Sequence, residues 1–173
     1  FWFGLPACAS VLLLATTNKI CQDVAVIPFL WVLPLTLYLL SFIVCFDSPK
    51  WYRRTLLQLL LLPTLGLLCY VLFSGHTLRL LTQIAVYCGS LFVCCLVCHG
   101  EVYRLRPEPR LLTSFYLLIA AGGASGGVFV AVVAPLAFQS YAELNWGIWL
   151  LCALLLLVHL RERTVWTLRD RKF

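Results

Sequence analysis

Charge is scarce in this sequence, and methionine is missing altogether. Asp, Glu, Lys and Arg make up 12% of the 173 residues, against 62% hydrophobic, and the mean hydropathy is +0.96. A soluble domain covers its surface with about twice that share of charge, so a water-solvated globule is excluded. Runs without charge recur along the chain, and about 20 apolar residues suffice to cross a bilayer as a helix. The predicted class is all-α, a polytopic integral membrane bundle of six transmembrane helices. Phe1-Trp2-Phe3 lacks the basic region and small-residue cleavage site of a signal peptide. It reads as the beginning of a spanning helix. With no methionine, the chain is expected to be a segment or a processed product, entered from something upstream.

Turn residues and charges divide the chain. The predicted spans are about 1–17, 24–46, 55–74, 80–98, 112–138 and 144–160, followed by a basic tail over 161–173. Pro28 and Pro34 fall inside the second, and Pro63 is the expected kink of the third. Six spans place the links alternately on two sides. One side carries Lys50, Arg53, Arg54, Arg104, Arg106, Arg110, Arg161, Arg163, Arg169, Arg171 and Lys172; the other carries Lys19 and Arg79, which completes the thirteen basic residues. An excess of Lys and Arg in short links marks the cytoplasmic face, so both termini are expected inside. The net charge of +6 falls on that face, where anionic lipid accounts for it and nucleic acid is not needed. The expected location is the bacterial inner (cytoplasmic) membrane, with Arg53, Arg54, Arg104, Arg106 and Arg110 as inner-leaflet lipid contacts.

Against this background one string stands out. Cys95-Leu96-Val97-Cys98-His99 has the spacing that tethers c-type haem, two thiols and an adjacent imidazole. It falls at the cytoplasmic end of span four, in a helical apolar setting, whereas covalent haem is attached on the opposite side. Zinc would need further ligands from another helix, because Cys94, Cys95, Cys98 and His99 lie within little more than one turn. These residues are therefore read as structural, with no cofactor and no metal. The nine cysteines, spread through the spans, read as reduced packing residues.

Gly122-Gly123-Ala124-Ser125-Gly126-Gly127 holds two overlapping small-xxx-small pairs, Gly122/Gly126 and Gly123/Gly127, expected to let helices approach closely. Pro135 is expected to end or bend that helix, and Thr113 to cap its start. Asn18, Gln22 and Asp23 lie in an outer link. They serve either as caps for the next helix or, with Glu143, as a polar site for a cation, where Trp31 or Tyr38 would supply an aromatic face. At the inner side His99 and Glu101 form either a structural link or a gate.

The strings Thr16-Thr17-Asn18, Gln22-Asp23, Cys98-His99-Gly100-Glu101 and Arg106-Pro107 with Pro109-Arg110, together with the glycine pairs, occur in one order over about Leu5 to Leu144. That stretch resembles the membrane region of the bacterial fused major-facilitator/spermidine-synthase-like proteins. The resemblance implies helices that stand before a cytosolic synthase-like domain. No Gly-x-Gly-x-x-Gly turn after a strand and no paired aspartates are present, so aminopropyl transfer is expected only with such a domain attached. No catalytic constellation appears in the chain itself. The expected role is a non-catalytic membrane module that anchors or assists a synthase-like partner, or a structural subunit of a larger assembly. The second expectation is half of a major-facilitator-like transporter for a small, polyamine-like solute. A haem-binding redox subunit is the third.

Overall fold

The computed structural model describes residues 1–23, 29–47, 52–74, 78–137 and 143–170, and the side chains of all these but 23, 29 and 162–170. The elements are α1 (Gly4–Asp23), α2 (Phe29–Asp47), α3 (Arg54–Ser74), α4 (Leu80–Arg104), a 3-10 turn (Pro109–Leu111), α5 (Leu112–Val128), a π-helical stretch (Phe129–Val133), α6 (Ala134–Ala137) and α7 (Glu143–Asp170). No strand occurs among the described residues. Six of these helical runs are long and apolar enough to cross a membrane, with α5, the π-helical stretch and α6 forming one of them.

Several boundaries differ from those read in the sequence, for one physical reason. Hydropathy ends a span at the first cluster of polar residues, whereas the backbone ends a helix where its hydrogen bonds stop. So α1 runs on through Asn18, Gln22 and Asp23 instead of stopping at Thr17, and α4 runs on through His99 and Glu101 to Arg104. The predicted tail continues α7 as helix to Asp170. At α5 the N-cap is Leu111, without a side-chain bond, and Thr113 lies inside the helix. Pro135 neither ends the chain's helical path nor stands alone. It lacks the amide that would bond back to Ala131, and the π-helical stretch just before it takes up the irregularity.

Side-chain size sorts the helices. In α1 the residues Ala7, Cys8, Ala9, Ser10 and Ala15 keep the helix thin, and in α4 the cysteines, Ser90 and Gly100 do the same. These two helices occupy the centre: 56% of the apolar stretch of α1 and 44% of that of α4 are buried, against 22–28% in the other four. Leucine-rich α3 sits outside, with Leu59 and Leu62 each 69% exposed. Water cannot drive apolar helices together inside lipid, so close backbone approach and polar pairs must do it.

Close approach is visible where α5 crosses α1. A Cβ on Gly122 would collide with the carbonyl oxygen of Phe3, and one on Gly126 with that of Ala7. Gly127 is less tightly placed, since a Cβ there would lie 3.8 Å from Leu14, and Gly123 faces open space. Of the two overlapping glycine pairs, Gly122/Gly126 forms the seam. Gly147 of α7 completes the contact from the other side, where a Cβ would lie 2.9 Å from Leu12.

The packing pattern has an internal order. α1 packs on α5 and α7, α4 packs on α2 and α3, and α1 and α4 pack on each other. Exchanging the first three spans for the last three, in order, leaves this pattern unchanged. The α1–α2 contact is the exception, since α4 and α5 have none of similar extent among the described residues. Three spans return the chain to the opposite side, so the two halves of such a pattern run with inverted polarity.

Candidate functional site: a buried polar cluster at the end of α4

The last two turns of α4 carry Cys98, His99, Gly100, Glu101 and Val102, all buried. Glu101 has no exposed surface. An isolated carboxylate in that position would be costly, and the fold surrounds it with donors from its own helix and from the segment that opens α3. The Tyr52 hydroxyl donates to Oε1 at 2.8 Å. Arg54 Nε, at the start of α3, lies 2.8 Å from the same oxygen. Arg104, one turn along α4, grips Oε2 through Nη2 at 2.9 Å and Nε at 3.2 Å. One carboxylate thus ties the entry of α3 to the exit of α4, with charge-assisted bonds on both oxygens.

Gly100 makes room for this. The Tyr52 ring lies where a Cβ on Gly100 would be, so any larger residue pushes the phenol off Glu101. Burial raises the Tyr52 phenol above its ordinary range, and the charge of Glu101 beside it acts in the same direction. Tyr52 is therefore a hydrogen-bond donor that stays protonated. At the tip of the cluster the Trp2 indole donates to the carbonyl of Leu105 at 2.8 Å, which fastens the start of α1 to the end of α4.

His99 faces the other way, toward α2. Its Nδ1 lies 3.0 Å from Ser41 Oγ, and Ser41 Oγ donates to the carbonyl of Tyr38 at 2.7 Å. A hydroxyl has one proton, and a carbonyl can only accept it. Both bonds therefore hold together only if Nδ1 carries the imidazole proton and donates to Ser41. Nε2 then presents a lone pair, and it has no hydrogen-bond partner among the described residues. The edges of Tyr38 and Phe42 close around the ring at 5.0 and 5.2 Å between centroids. A stacked Phe42–Phe46 pair continues this aromatic wall to Tyr103, whose face Arg106 covers at 5.1 Å.

The structure separates the residues singled out from the sequence. His99 and Glu101 are neighbours in this cluster, but Asn18 and Gln22 lie on the last turns of α1 and are exposed. Glu143 opens α7 at that other end and is 5% exposed. The side chain of Asp23 lies outside the described residues. Any cation site made from Asn18, Gln22 and Glu143 is thus at the far end of the bundle from His99 and Glu101, and Tyr38 belongs with the latter. Trp31 is 55% exposed on α2. Of the basic residues, Arg54 and Arg104 are ion-paired, Arg106 is stacked, and Arg53 and Arg110 are exposed.

Cys95 and Cys98 have no exposed surface and His99 has 1%. They lie within a continuous helix between α1 and α2, and a tethered porphyrin needs thiols that open onto a cavity. The motif does not fit haem. Among the described residues no group of three or more His, Cys, Asp or Glu side chains converges on a point where a metal ion would sit.

Sequence reasoning missed Ser41, Tyr52 and Gly100. A signal existed for one of them: Gly100 precedes a buried acid, and small residues beside a buried charge make space for its donors. Tyr52 reads in sequence only as an aromatic boundary residue. The chain matches no protein-family model, no curated protein and no solved structure.

Proposed function

We propose that these six helices form one half of a facilitator-type membrane bundle, a non-catalytic module that works inside a larger assembly. The observation that supports this reading is the exchange of spans one to three for four to six, which preserves the packing of the bundle apart from the α1–α2 contact. Inverted three-helix repeats of this kind build each six-helix half of major-facilitator carriers, and two halves enclose a midplane site. Many transport folds are built from such repeats.

The distribution of Lys and Arg supports an orientation with both termini and the Glu101 cluster on the cytoplasmic side, and the membrane of this reading is the bacterial inner membrane. The partner on that side is either a second set of helices or a synthase-like soluble domain, as the likeness to the fused major-facilitator/spermidine-synthase-like proteins implies. A small cationic solute such as a polyamine is the cargo of the carrier version of this reading, with Glu143 near the outer end supplying a carboxylate.

Extraction in a mild detergent tests the reading. The particle, with whatever flanks or partners accompany the chain, is expected to contain at least twelve membrane helices by mass. A stable, monodisperse six-helix particle at native expression levels would sink it. Uptake of labelled spermidine into proteoliposomes then separates carrier from anchor: a protein-dependent rate favours the carrier, and none favours the anchor.

A further inference from the structure

His99 uses one of its two ring nitrogens and leaves the other idle. With Nδ1 donating to Ser41, Nε2 is a lone pair without a hydrogen-bond partner among the described residues, in a side chain that is buried. Filling space does not call for an imidazole here, since Phe42 and Phe46 build the same wall from phenyl rings, and a buried polar atom left unpaired costs stability. An ionisable side chain in a membrane helix points instead to a function. No set of metal ligands converges among the described residues, and what a lone imidazole nitrogen takes up in the physiological range is a proton.

The surroundings decide what that proton does. From α2, Tyr38 is the titratable group that faces the ring, beside Ser41 and Phe42. On α4 itself Cys95 stands one turn back and Cys98 just before, both without exposed surface, and Tyr103 one turn on packs against Phe46. From α1, Cys8 brings its thiol to that of Cys98. Tyr52 and Arg54, at the head of α3, and Arg104 are turned to Glu101. Among the described residues no charged group acts on His99. An imidazolium in this packing would hold a buried charge without a counter-ion and a second N–H without an acceptor.

We propose that His99 is a proton-binding latch, which holds α2 on α4 while its ring is neutral and lets α2 go when Nε2 is protonated. Protonation requires Nε2 to reach water, and the ring reaches water only by leaving Tyr38 and Phe42. The released state therefore carries one proton more than the packed state. Its share grows as pH falls through the ordinary imidazole range, near about 6.5, and vanishes above it. The latch needs only the packing of α2 on α4, and it does not depend on the helices being half of a larger bundle.

The cysteines supply the readout. Cys45 of α2 is buried in the seam with α4, its thiol 3.5 Å from the carbonyl of Leu96. Cys8 is buried in a different contact, 3.7 Å from the carbonyl of Gly147 on α7. Cys69 and Cys152 are exposed and serve as references that cancel the reagent's own pH dependence. The detergent-purified chain is labelled with N-ethylmaleimide, and each cysteine is quantified by peptide mass spectrometry. Labelling of Cys45 relative to the references is expected to rise about tenfold from about pH 7.5 to about pH 5.5, the response of one proton, while Cys8 stays protected. His99→Gln, which cannot be protonated, is expected to abolish the rise; His99→Phe, which keeps a ring against Tyr38 and Phe42, replaces it if protection of Cys8 at neutral pH shows the amide variant unfolded. His76→Gln and His159→Gln, at the other two histidines, are expected to leave the rise intact. A flat Cys45 ratio in the wild type, a rise that persists without His99, or Cys8 and Cys45 exposed together would overturn the latch.

Discussion

The two central helices do the same job by different physics. α1 is held by shape: thin along one side, it receives the backbone of α5 at Gly122 and Gly126 and of α7 at Gly147. α4 is held by charge and hydrogen bonds: it buries Gln83, Ser90, His99 and Glu101 among its neighbours. In lipid neither helix gains from leaving water, so each needs a contact that lipid tails cannot provide. Close packing depends on the absence of side-chain atoms, and the polar cluster depends on the presence of particular ones. The first kind of contact should reject any side chain at Gly122 or Gly126, whereas the second should reject the loss of the groups that make it.

The sharpest way to break this contrast is at Glu101. Glu101→Ala leaves Arg54 and Arg104 facing each other without a carboxylate, and is expected to cost about 3 kcal/mol. A thiol-reactive dye melt in detergent measures it, since buried cysteines become labelled on unfolding; an unchanged midpoint would remove the charge account of α4. Next comes the α1 seam. Gly126→Leu drives a side chain into the backbone at Ala7 and is expected to cost about 2 kcal/mol, while Gly123→Leu, which points into open space, is expected to change stability by less than about 0.5 kcal/mol. Equal losses from the two would mean that packing at the seam is not what holds α1. Within the polar cluster the smaller effect is expected at Tyr52. Tyr52→Phe removes one of several donors to Glu101 and is expected to cost about 1 kcal/mol.

A pH series sharpens the last comparison. The folded Tyr52 phenol holds its proton above the ordinary value of 10.0, because burial and Glu101 disfavour the phenolate. Above that value the unfolded chain releases the proton and the folded chain keeps it, so the unfolded state binds fewer protons and stability falls as pH rises. Wild type is expected to lose stability above about pH 10 more steeply than Tyr52→Phe, and parallel curves would rule out this role for the phenol.

How far the sequence could be read follows from the same contrast. Gly122 and Gly126 were legible because their signature is local, four residues apart on one helix, although the sequence could not choose between that pair and Gly123/Gly127. The Glu101 cluster was not legible. Hydropathy places Glu101 in a polar link after Cys98, and its pairing with Arg104 is visible at three residues' distance, but the decisive donors Tyr52 and Arg54 stand in another link. His99 read as part of a haem-like string because cysteine spacing is a local pattern, and only its burial against Ser41 and Tyr38 assigns it to packing between α2 and α4.

The sequence by itself determined that this protein is helical and long enough in six places to cross a membrane, since helix formation and apolar length are properties of consecutive residues. Which helices sit inside was decided by the packing, because apolar spans offer similar residues to lipid and to one another. Only the tertiary structure decided that a carboxylate lies buried at the end of α4, because a charge inside the protein is permitted by partners that arrive from elsewhere in the chain. The same holds for the three-for-three exchange of helices, which exists in the packing of spans and in no stretch of residues.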